Sequence, residues 1–258
     1  MFLHQLNPSV KALTIVVTII LLALVFDPIT PALLFVWTIT LTFIGGQIHW
    51  KRYVLYLLPF SILSFGMLWT TLFVGAPSQN LENVIHLFGL SFSYEALLTA
   101  LALALRVLSV AALSLLFIFT TDMVDFILSL NQQMRLSPKI AYGVLAGFRF
   151  LPMMKEEWQL LHAAHRIRGA RGNGYNERWK HYKRFAIPLL ASAIRKAERT
   201  AIAMESKGFT GDRNRTYYRQ FNVKKQDGFF FLCMLITFLI ACLISNQLGF
   251  LKIYPYHF

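Results

Sequence analysis

The chain has 258 residues, of which 56% are hydrophobic and only 14% are charged. With a mean hydropathy of +0.53, this composition excludes an ordinary soluble domain of that length and indicates a membrane protein. Lys and Arg number 25 against 12 Asp and Glu, a formal net charge of +13, which is typical of proteins that bind nucleic acid or an anionic membrane surface. The two cysteines, Cys233 and Cys242, lie in one apolar segment and exclude a disulfide framework and a cysteine-based metal site.

Apolar segments mark the candidate membrane spans, because crossing a hydrocarbon core of roughly 30 Å takes about 20 mainly apolar residues. Segments without any charge run from Tyr53 to Leu81 and from Gly228 to Leu251, and a third, from Ala96 to Thr121, is interrupted by a single arginine. Two shorter segments, Ala12 to Phe26 and Ala32 to Gly46, flank a turn with two prolines, which disfavour a continuous helix. We therefore predict an all-α polytopic membrane protein with about five transmembrane helices.

The basic residues predict the orientation of these spans. The loop from Gly75 to Glu95 has no Lys or Arg, whereas the loop that holds His49, Lys51 and Arg52 is basic. The positive-inside rule places the basic loop in the cytoplasm, and five spans then put the N-terminus in the cytoplasm and the C-terminus outside. The alternative for the N-terminal segment is a signal peptide, because Lys11 precedes an apolar stretch of suitable length, but no small-residue cleavage pattern follows Phe26. We expect a multi-pass protein of the cell membrane.

Most of the charge lies in one segment between the last two predicted spans. Residues 122–227 contain 20 of the 25 Lys and Arg residues and 9 of the 12 acidic residues. Because this segment begins and ends on the same side of the membrane, we predict a hairpin-like cytoplasmic insertion. The predicted division is residues 1–121 with four transmembrane helices, residues 122–228 as the cytoplasmic segment, and residues 229–258 as the last transmembrane helix and a tail.

Two amphipathic helices are predicted within the cytoplasmic segment. The first runs from Ser137 to Gly169, with a proline in its first turn, apolar residues at three- and four-residue spacing and a predicted kink at Pro152. The second runs from Phe185 to Lys207 and ends before Gly208, a common helix stop. The residues between them, Gly169 to Arg184, are rich in Gly, Asn and basic side chains and predict a loop.

Composition alone leaves three functions open for these basic helices. One is contact with the anionic headgroups of the inner leaflet, where each Lys or Arg contributes about 1 kcal/mol. Another is docking to a partner protein. Nucleic-acid binding is the least favoured, because no binding module is recognisable and few aromatic residues alternate with the basic ones. We expect the lipid bilayer, and no nucleic acid, as a partner.

Three separated stretches of this region carry a resemblance to a known family. They read TTDMVDFILSL, then LSPKIAYGVLAGFRFLPMMKEEWQLLHAAHRIRGARG, then AERTAIAMESKGFTG, and they span residues 120–211. Their order and content resemble the transmembrane T component of energy-coupling factor (ECF) transporters, and the opening LNPSVKAL is similar to the family's usual start. The resemblance implies a complex with two ABC-type ATPase subunits and a small substrate-binding membrane S component. It also implies the import of a vitamin or a trace metal, and the N-terminal half is similar to thiamine-precursor systems.

The resemblance further implies two ATPase-docking motifs, one at the end of each cytoplasmic coupling helix. They map onto Ile167, Arg168 and Gly169 in the first helix, and onto Ser206, Lys207 and Gly208 in the second. The second motif departs from the family pattern, because Lys keeps the charge of Arg but lacks its planar fork of five donors. Apart from the family, a cation at the end of a helix complements the helix dipole, so ordinary helix capping stays open as an alternative.

Four further residues are predicted to have structural or coupling roles: Arg106, Arg149, Pro152 and Glu156. A guanidinium within a span is tolerated chiefly when it faces the bundle interior or a polar partner, so Arg106 predicts a contact with another helix or with the S component. Glu156 and its neighbour Glu157 predict ion pairs with nearby arginines such as Arg149. A kink at Pro152 would let the first coupling helix move as a rigid body.

No catalytic or cofactor-binding pattern accompanies these features. The chain lacks a phosphate-binding loop of the Gly-x-x-x-x-Gly-Lys-Ser/Thr kind, so any ATP hydrolysis is expected in partner subunits. His162 and His165 are three residues apart on a predicted helix, but no carboxylate or cysteine is placed to complete a metal site. We expect no enzyme activity, no cofactor and no metal. The alternative functions are a basic membrane-anchored scaffold that binds anionic lipid and, less favoured for lack of inverted repeats, a secondary transporter.

Overall fold

A computed structural model describes residues 2–46, 48–74, 84–87, 90–167, 175–213 and 215–250 of the chain. Two strands pair antiparallel as a short hairpin, with Val84 opposite Ser93, in a stretch that the sequence predicts as a loop. The elements in chain order are α1 (Phe2–Gln5), α2 (Pro8–Leu24), α3 (Ile29–Gly46), α4 (Trp50–Val74), β1 (Val84–Leu87), β2 (Leu90–Ser93), α5 (Tyr94–Thr120), α6 (Met123–Gln133), α7 (Pro138–Ile167), α8 (Tyr175–Ser206) and α9 (Lys225–Gln247).

The predicted all-α membrane architecture is confirmed. Four helices, α3, α4, α5 and α9, are long and apolar enough to cross a membrane. A fifth apolar helix, α2, has 17 residues, which is at the short end of the length that spans a hydrocarbon core. These five helices coincide with the five predicted spans, although α2 begins at Pro8 rather than at Ala12.

Local sequence explains where α2 and α3 begin. The side chain of Asn7 accepts a hydrogen bond of 3.1 Å from the backbone N–H of Ser9, and Pro8 occupies the first turn of α2, where its missing N–H removes no helical bond. Asp27 has the same role for α3, because its Oδ2 accepts bonds from the N–H and the hydroxyl of Thr30 at 2.9 and 2.7 Å. Both caps satisfy backbone donors that the membrane interior cannot hydrate.

The chain divides into two compact units. The membrane unit contains Met1–Ser129 and Phe221–Phe258, and the basic unit contains Leu130–Gln220. In the membrane unit, apolar side chains of α1, α2, α5 and α9 form one buried cluster, and those of α2, α3 and α9 form a second. The members of the first are Leu3, Leu6, Ile15, Leu113, Leu116, Phe230 and Met234, and those of the second are Leu22, Val25, Leu34 and Phe238.

A buried lysine joins three parts of the membrane unit. Only 1% of Lys11 is exposed, and its Nζ donates to the carbonyl of Leu3 at 2.6 Å and to the carbonyl of Thr120 at 3.0 Å. The hydroxyls of Thr120 and Thr121 lie 3.2 Å from the same nitrogen. A cation here complements the C-terminal end of the α5 dipole. Lys11 is therefore part of the folded bundle.

Within the basic unit, α7 and α8 form an antiparallel pair. Tyr142 near the start of α7 contacts Phe209 just beyond α8, with ring centroids 5.6 Å apart, whereas Trp158 late in α7 contacts Phe185 early in α8 at 5.2 Å. Each helix continues through an internal proline, Pro152 in α7 and Pro188 in α8.

The prediction of a loop over Gly169 to Arg184 is wrong for residues 175–184, which form the first part of α8. The segment that begins at Tyr175 contains Glu, Arg, Lys and Trp without Gly or Pro, and such residues permit a helix. The glycines that suggested a loop are concentrated before it, at positions 169, 172 and 174.

Candidate docking site

Ile167 of the first predicted docking motif and the second predicted motif lie at opposite ends of the α7–α8 pair. Ile167 is the last residue of α7 and is 86% exposed, and Arg168 and Gly169 follow it outside the described residues. The second motif follows from the end of α8 at Ser206. Because the helices are antiparallel and α7 has 30 residues, about 45 Å of helix separates its two ends.

The second motif forms a tight turn that ends α8. The N–H of Gly208 donates to the carbonyl of Glu205 at 2.9 Å, and the N–H of Phe209 donates to the carbonyl of Met204 at 3.0 Å. This pair of bonds is the Schellman arrangement, in which the residue after the helix adopts a left-handed conformation. Gly208 has φ +80°, which only glycine adopts without strain. Lys207 is thereby exposed on the outside of the turn.

Aromatic rings and an arginine surround the base of this turn. The guanidinium of Arg215 lies 4.6 Å from the ring centroid of Tyr142, 5.3 Å from that of Phe209 and 5.9 Å from that of Tyr217. A cavity of about 480 Å³ opens beside them, with Lys207 on its wall. No sequence pattern predicted this cluster, because Tyr142 is more than 60 residues from the other members along the chain.

A second groove lies between α7 and α8. It has a volume of about 430 Å³ and is lined by α7 residues that include Arg149, and by Thr200 and Met204 of α8. Pro152 is exposed on α7, and no cation–carboxylate pair involving Arg149 is found among the described residues. The predicted role of these two residues in coupling stays a prediction.

The acidic pair of α7 divides between two environments. Oε2 of Glu157 accepts a hydrogen bond of 2.5 Å from Nζ of Lys196 on α8, rather than from a neighbouring arginine of its own helix as expected. Hydrogen bonds from Lys196 and Ser192 lower the pKa of Glu157 below its ordinary value. Glu156 is exposed and points to a different side of the helix, as adjacent helical residues do.

The histidines of α7 pack on an aromatic ring. His162 and His165 lie 5.8 and 4.7 Å from the ring centroid of Phe185, a buried residue of α8. Across the part of the chain that the structure describes, no three His, Cys, Asp or Glu residues are grouped as metal ligands. The two histidines therefore contribute to helix packing here.

Arg106 lies in the membrane unit, where it contacts the turn between α2 and α3. Its Nη2 donates to the carbonyl of Val25, and its guanidinium lies 4.7 Å from the ring centroid of Phe26. Asp27 interacts with it electrostatically. The arginine thus supplies a donor to a carbonyl at the end of α2, where no intrahelical partner is available.

Comparison with known proteins agrees with this architecture. Residues 1–218 match the family model described as CbiQ, cobalt transport protein. The chain is 26% identical to a protein of Streptococcus equi over 94% of this chain and 93% of the relative. It is 27% identical to one of Bacillus subtilis over 84% of each chain, and 24% identical to one of Lactococcus lactis over 95% of this chain and 94% of the relative. All three relatives are named energy-coupling factor transporter transmembrane protein EcfT.

Proposed function

The chain belongs to the CbiQ family of cobalt transport proteins, and from this premise we propose that it couples ATP hydrolysis to vitamin import as the T component of an ECF transporter. The family and the named relatives confirm the resemblance inferred from the motifs. Members of this family are membrane components of transporters and are not themselves enzymes. The five apolar helices make the chain a multi-pass membrane protein.

In the proposed complex, two ABC-type ATPase subunits dock at the two ends of the α7–α8 pair, and a small S component binds the vitamin in the membrane. The observation that carries this proposal is the exposed turn at Lys207, at the opposite end of the pair from Ile167. Ends separated by about 45 Å of helix are too far apart for one compact contact. Their separation therefore favours two partner subunits.

The proposed mechanism transmits ATPase movement through these helix ends. ATP binding brings the two ATPase subunits together, and their movement displaces the ends of α7 and α8, which changes the orientation of the S component. The basic segment then faces the cytoplasm, with the N-terminus on the same side, in agreement with the positive-inside rule. The vitamin contacts the S component, so its identity depends on that partner.

Substitution of the motif cations tests this proposal. The full chain is purified with its co-expressed ATPase subunits, and the dissociation constant is measured for Arg168→Ala, Lys207→Ala and Arg199→Ala. A hydrogen bond to a charged group contributes about 1.5 to 3 kcal/mol, so Arg168→Ala is expected to weaken association by one to two orders of magnitude. Lys207→Ala is expected to weaken it less, because Lys lacks the fork of Arg.

Arg199→Ala is the control, because Arg199 is an exposed cation of α8 outside both motifs. The anionic-lipid alternative predicts equal, slight losses at all three positions, since each cation then contributes a similar amount to membrane binding. Such a result would contradict the docking proposal. A second measurement with anionic vesicles would then be expected to show the same uniform losses.

A further inference from the structure

We propose that Arg215 is a positioning residue for the second docking motif, and that it acts by holding the Lys207 turn against the start of α7. This inference rests on the proposed docking function of that motif. Arg215 does not belong to the motif itself. It follows α8 by several residues, and its guanidinium lies over the ring of Phe209, which directly follows the motif, and over the ring of Tyr142 in α7.

The ring contacts connect the turn to α7. Phe209 follows the turn glycine directly and packs edge to face on Tyr142 of α7. Arg215 lies over both of these rings, and a third ring, Tyr217, lies 5.9 Å from its guanidinium. A guanidinium within about 6 Å of an aromatic centroid is attracted to the ring. One planar cation thus joins the residue after the turn to the first turns of α7.

Two hydrogen bonds attach the segment after α8 to the residues that precede α7. We call this segment the strap and define it as residues 209–213 and 215–219. Nη2 of Arg213 donates to the carbonyl of Arg135 at 3.1 Å. Nε2 of Gln132 donates to the carbonyl of Arg219 at 2.7 Å. Both acceptors are backbone groups, so these bonds fix the path of the chain. The strap therefore lies along the segment that leads into α7.

A close approach within the strap requires glycine. Gly211 has φ +78°, a conformation that other residues adopt only with strain. A Cβ at this position would lie 2.6 Å from Cε of Lys139, so the stem of Lys139 occupies the space that a side chain would need. The strap thus contacts α7 at Lys139 as well as at Tyr142.

This attachment matters for a motif that carries Lys in place of Arg. A lysine ammonium acts as a point charge on a flexible stem, whereas an arginine fork fixes its own direction through two bonds. The position of the Lys207 backbone therefore determines the region that the ammonium group of Lys207 can contact. Because the strap fixes that backbone relative to α7, movement of an ATPase subunit at Lys207 reaches α7 directly as well as along α8.

A double-mutant cycle tests the positioning role. The dissociation constant for the co-expressed ATPase subunits is measured for Arg215→Ala, Arg215→Lys, Lys207→Ala and the double variant Arg215→Ala/Lys207→Ala, each in the full chain in nanodiscs. Arg215→Ala is expected to weaken association by about three- to tenfold, and Arg215→Lys to recover only part of the loss. In the Lys207→Ala background, Arg215→Ala is expected to add little, because the cation that it positions is gone.

The outcomes separate this inference from the proposed function. Equal losses for Arg215→Ala with and without Lys207 would overturn the positioning role while leaving the docking motif intact. An unchanged dissociation constant for Lys207→Ala would overturn both the motif and its positioning.

A second variant covers the case in which Arg215→Ala does not fold. Gly211→Ala displaces the strap but keeps every ring and cation, and it is expected to weaken association as Arg215→Ala does. Gly143→Ala in α7 is the matched control, because a Cβ there meets no atom within 4 Å. Unchanged association of a folded Gly211→Ala protein would contradict the positioning role.

Discussion

Nζ of Lys196 and Oε2 of Glu157 lie 2.5 Å apart, and this ion pair joins α8 to α7 near the middle of the basic unit. The same carboxylate accepts a hydrogen bond from Ser192, and both bonds favour its charged form, which lowers the pKa of Glu157. Among the residues that the structure describes, this ion pair links the two helices at whose ends the docking motifs are predicted.

The first prediction concerns the pH dependence of this pair. Because the folded pKa of Glu157 is below its ordinary value of 4.5, its contribution to stability is present above that value and is lost as the pH falls through the folded pKa. We expect the distance distribution between spin labels at Gln159 and Arg199 to broaden below pH 4.5. Glu157→Gln should be broad at every pH, whereas Glu156→Gln should resemble the unsubstituted protein. Identical titrations for both variants would rule out the pair.

The second prediction concerns Lys11, whose Nζ satisfies the carbonyls of Leu3 and Thr120 inside the membrane unit. Lys11→Met keeps much of the volume but leaves these buried acceptors without a donor. Hydrogen bonds to charged groups contribute about 1.5 to 3 kcal/mol, so we expect a loss of at least about 2 kcal/mol in thermal unfolding in detergent. Lys51→Met, at an exposed lysine of α4, should have little effect. Similar losses for the two variants would show that the buried bonds are unimportant.

The third prediction concerns Arg106 and Asp27. A lone charge at the centre of a span costs about 2.5 to 3.5 kcal/mol on insertion scales, and Arg106→Met leaves Asp27 fully buried without its cation. We expect Arg106→Met to lower both membrane expression and thermal stability. Asp27→Asn, which keeps an acceptor for Thr30, should restore part of the loss in the double variant. If Asp27→Asn makes the Arg106→Met protein still less stable, the two charges do not compensate each other.

The fourth prediction concerns the proposed orientation. In a chain with Cys233 and Cys242 replaced by Ala, Ser91→Cys should react with an impermeant thiol reagent added to intact cells. Asn173→Cys, in the connection between α7 and α8, should react only after the membrane is opened. Labelling of Asn173→Cys in intact cells would place the basic segment outside and contradict the docking model.

The membrane helices were predictable because crossing a hydrocarbon core requires a long, mainly apolar segment with very few charges, and each such segment can be recognised from its own residues alone. The start of α8 was not predictable in the same way. The glycines before Tyr175 resemble a loop, and the helix that follows depends on residues such as Phe185, which is buried against α7. The local sequence gives no sign of a helix start that depends on such a distant packing partner.

The contacts of α7, α8 and the turn at Lys207 were also only partly predictable from the sequence. Gly208 as the end of α8 follows from local helix-stop chemistry, and the structure has it in the left-handed conformation. The partner of Glu157 is on another helix. The rings around Arg215 come from α7 and from strap residues before and after Arg215 in the sequence. These contacts depend on how α7 and α8 pair, which periodicity does not determine.

If the Lys207 turn docks as proposed, the antiparallel pairing of α7 and α8 makes the exact length of α8 important for function. One residue inserted between Lys196 and Ser206 would advance the Lys207 turn by about 1.5 Å and rotate it by about 100°, while the ion pair to Glu157 stayed in place. The cation would then face a different direction, although no motif residue had changed. We expect α8 to tolerate many substitutions at its exposed positions between these points, and to tolerate insertions or deletions there poorly.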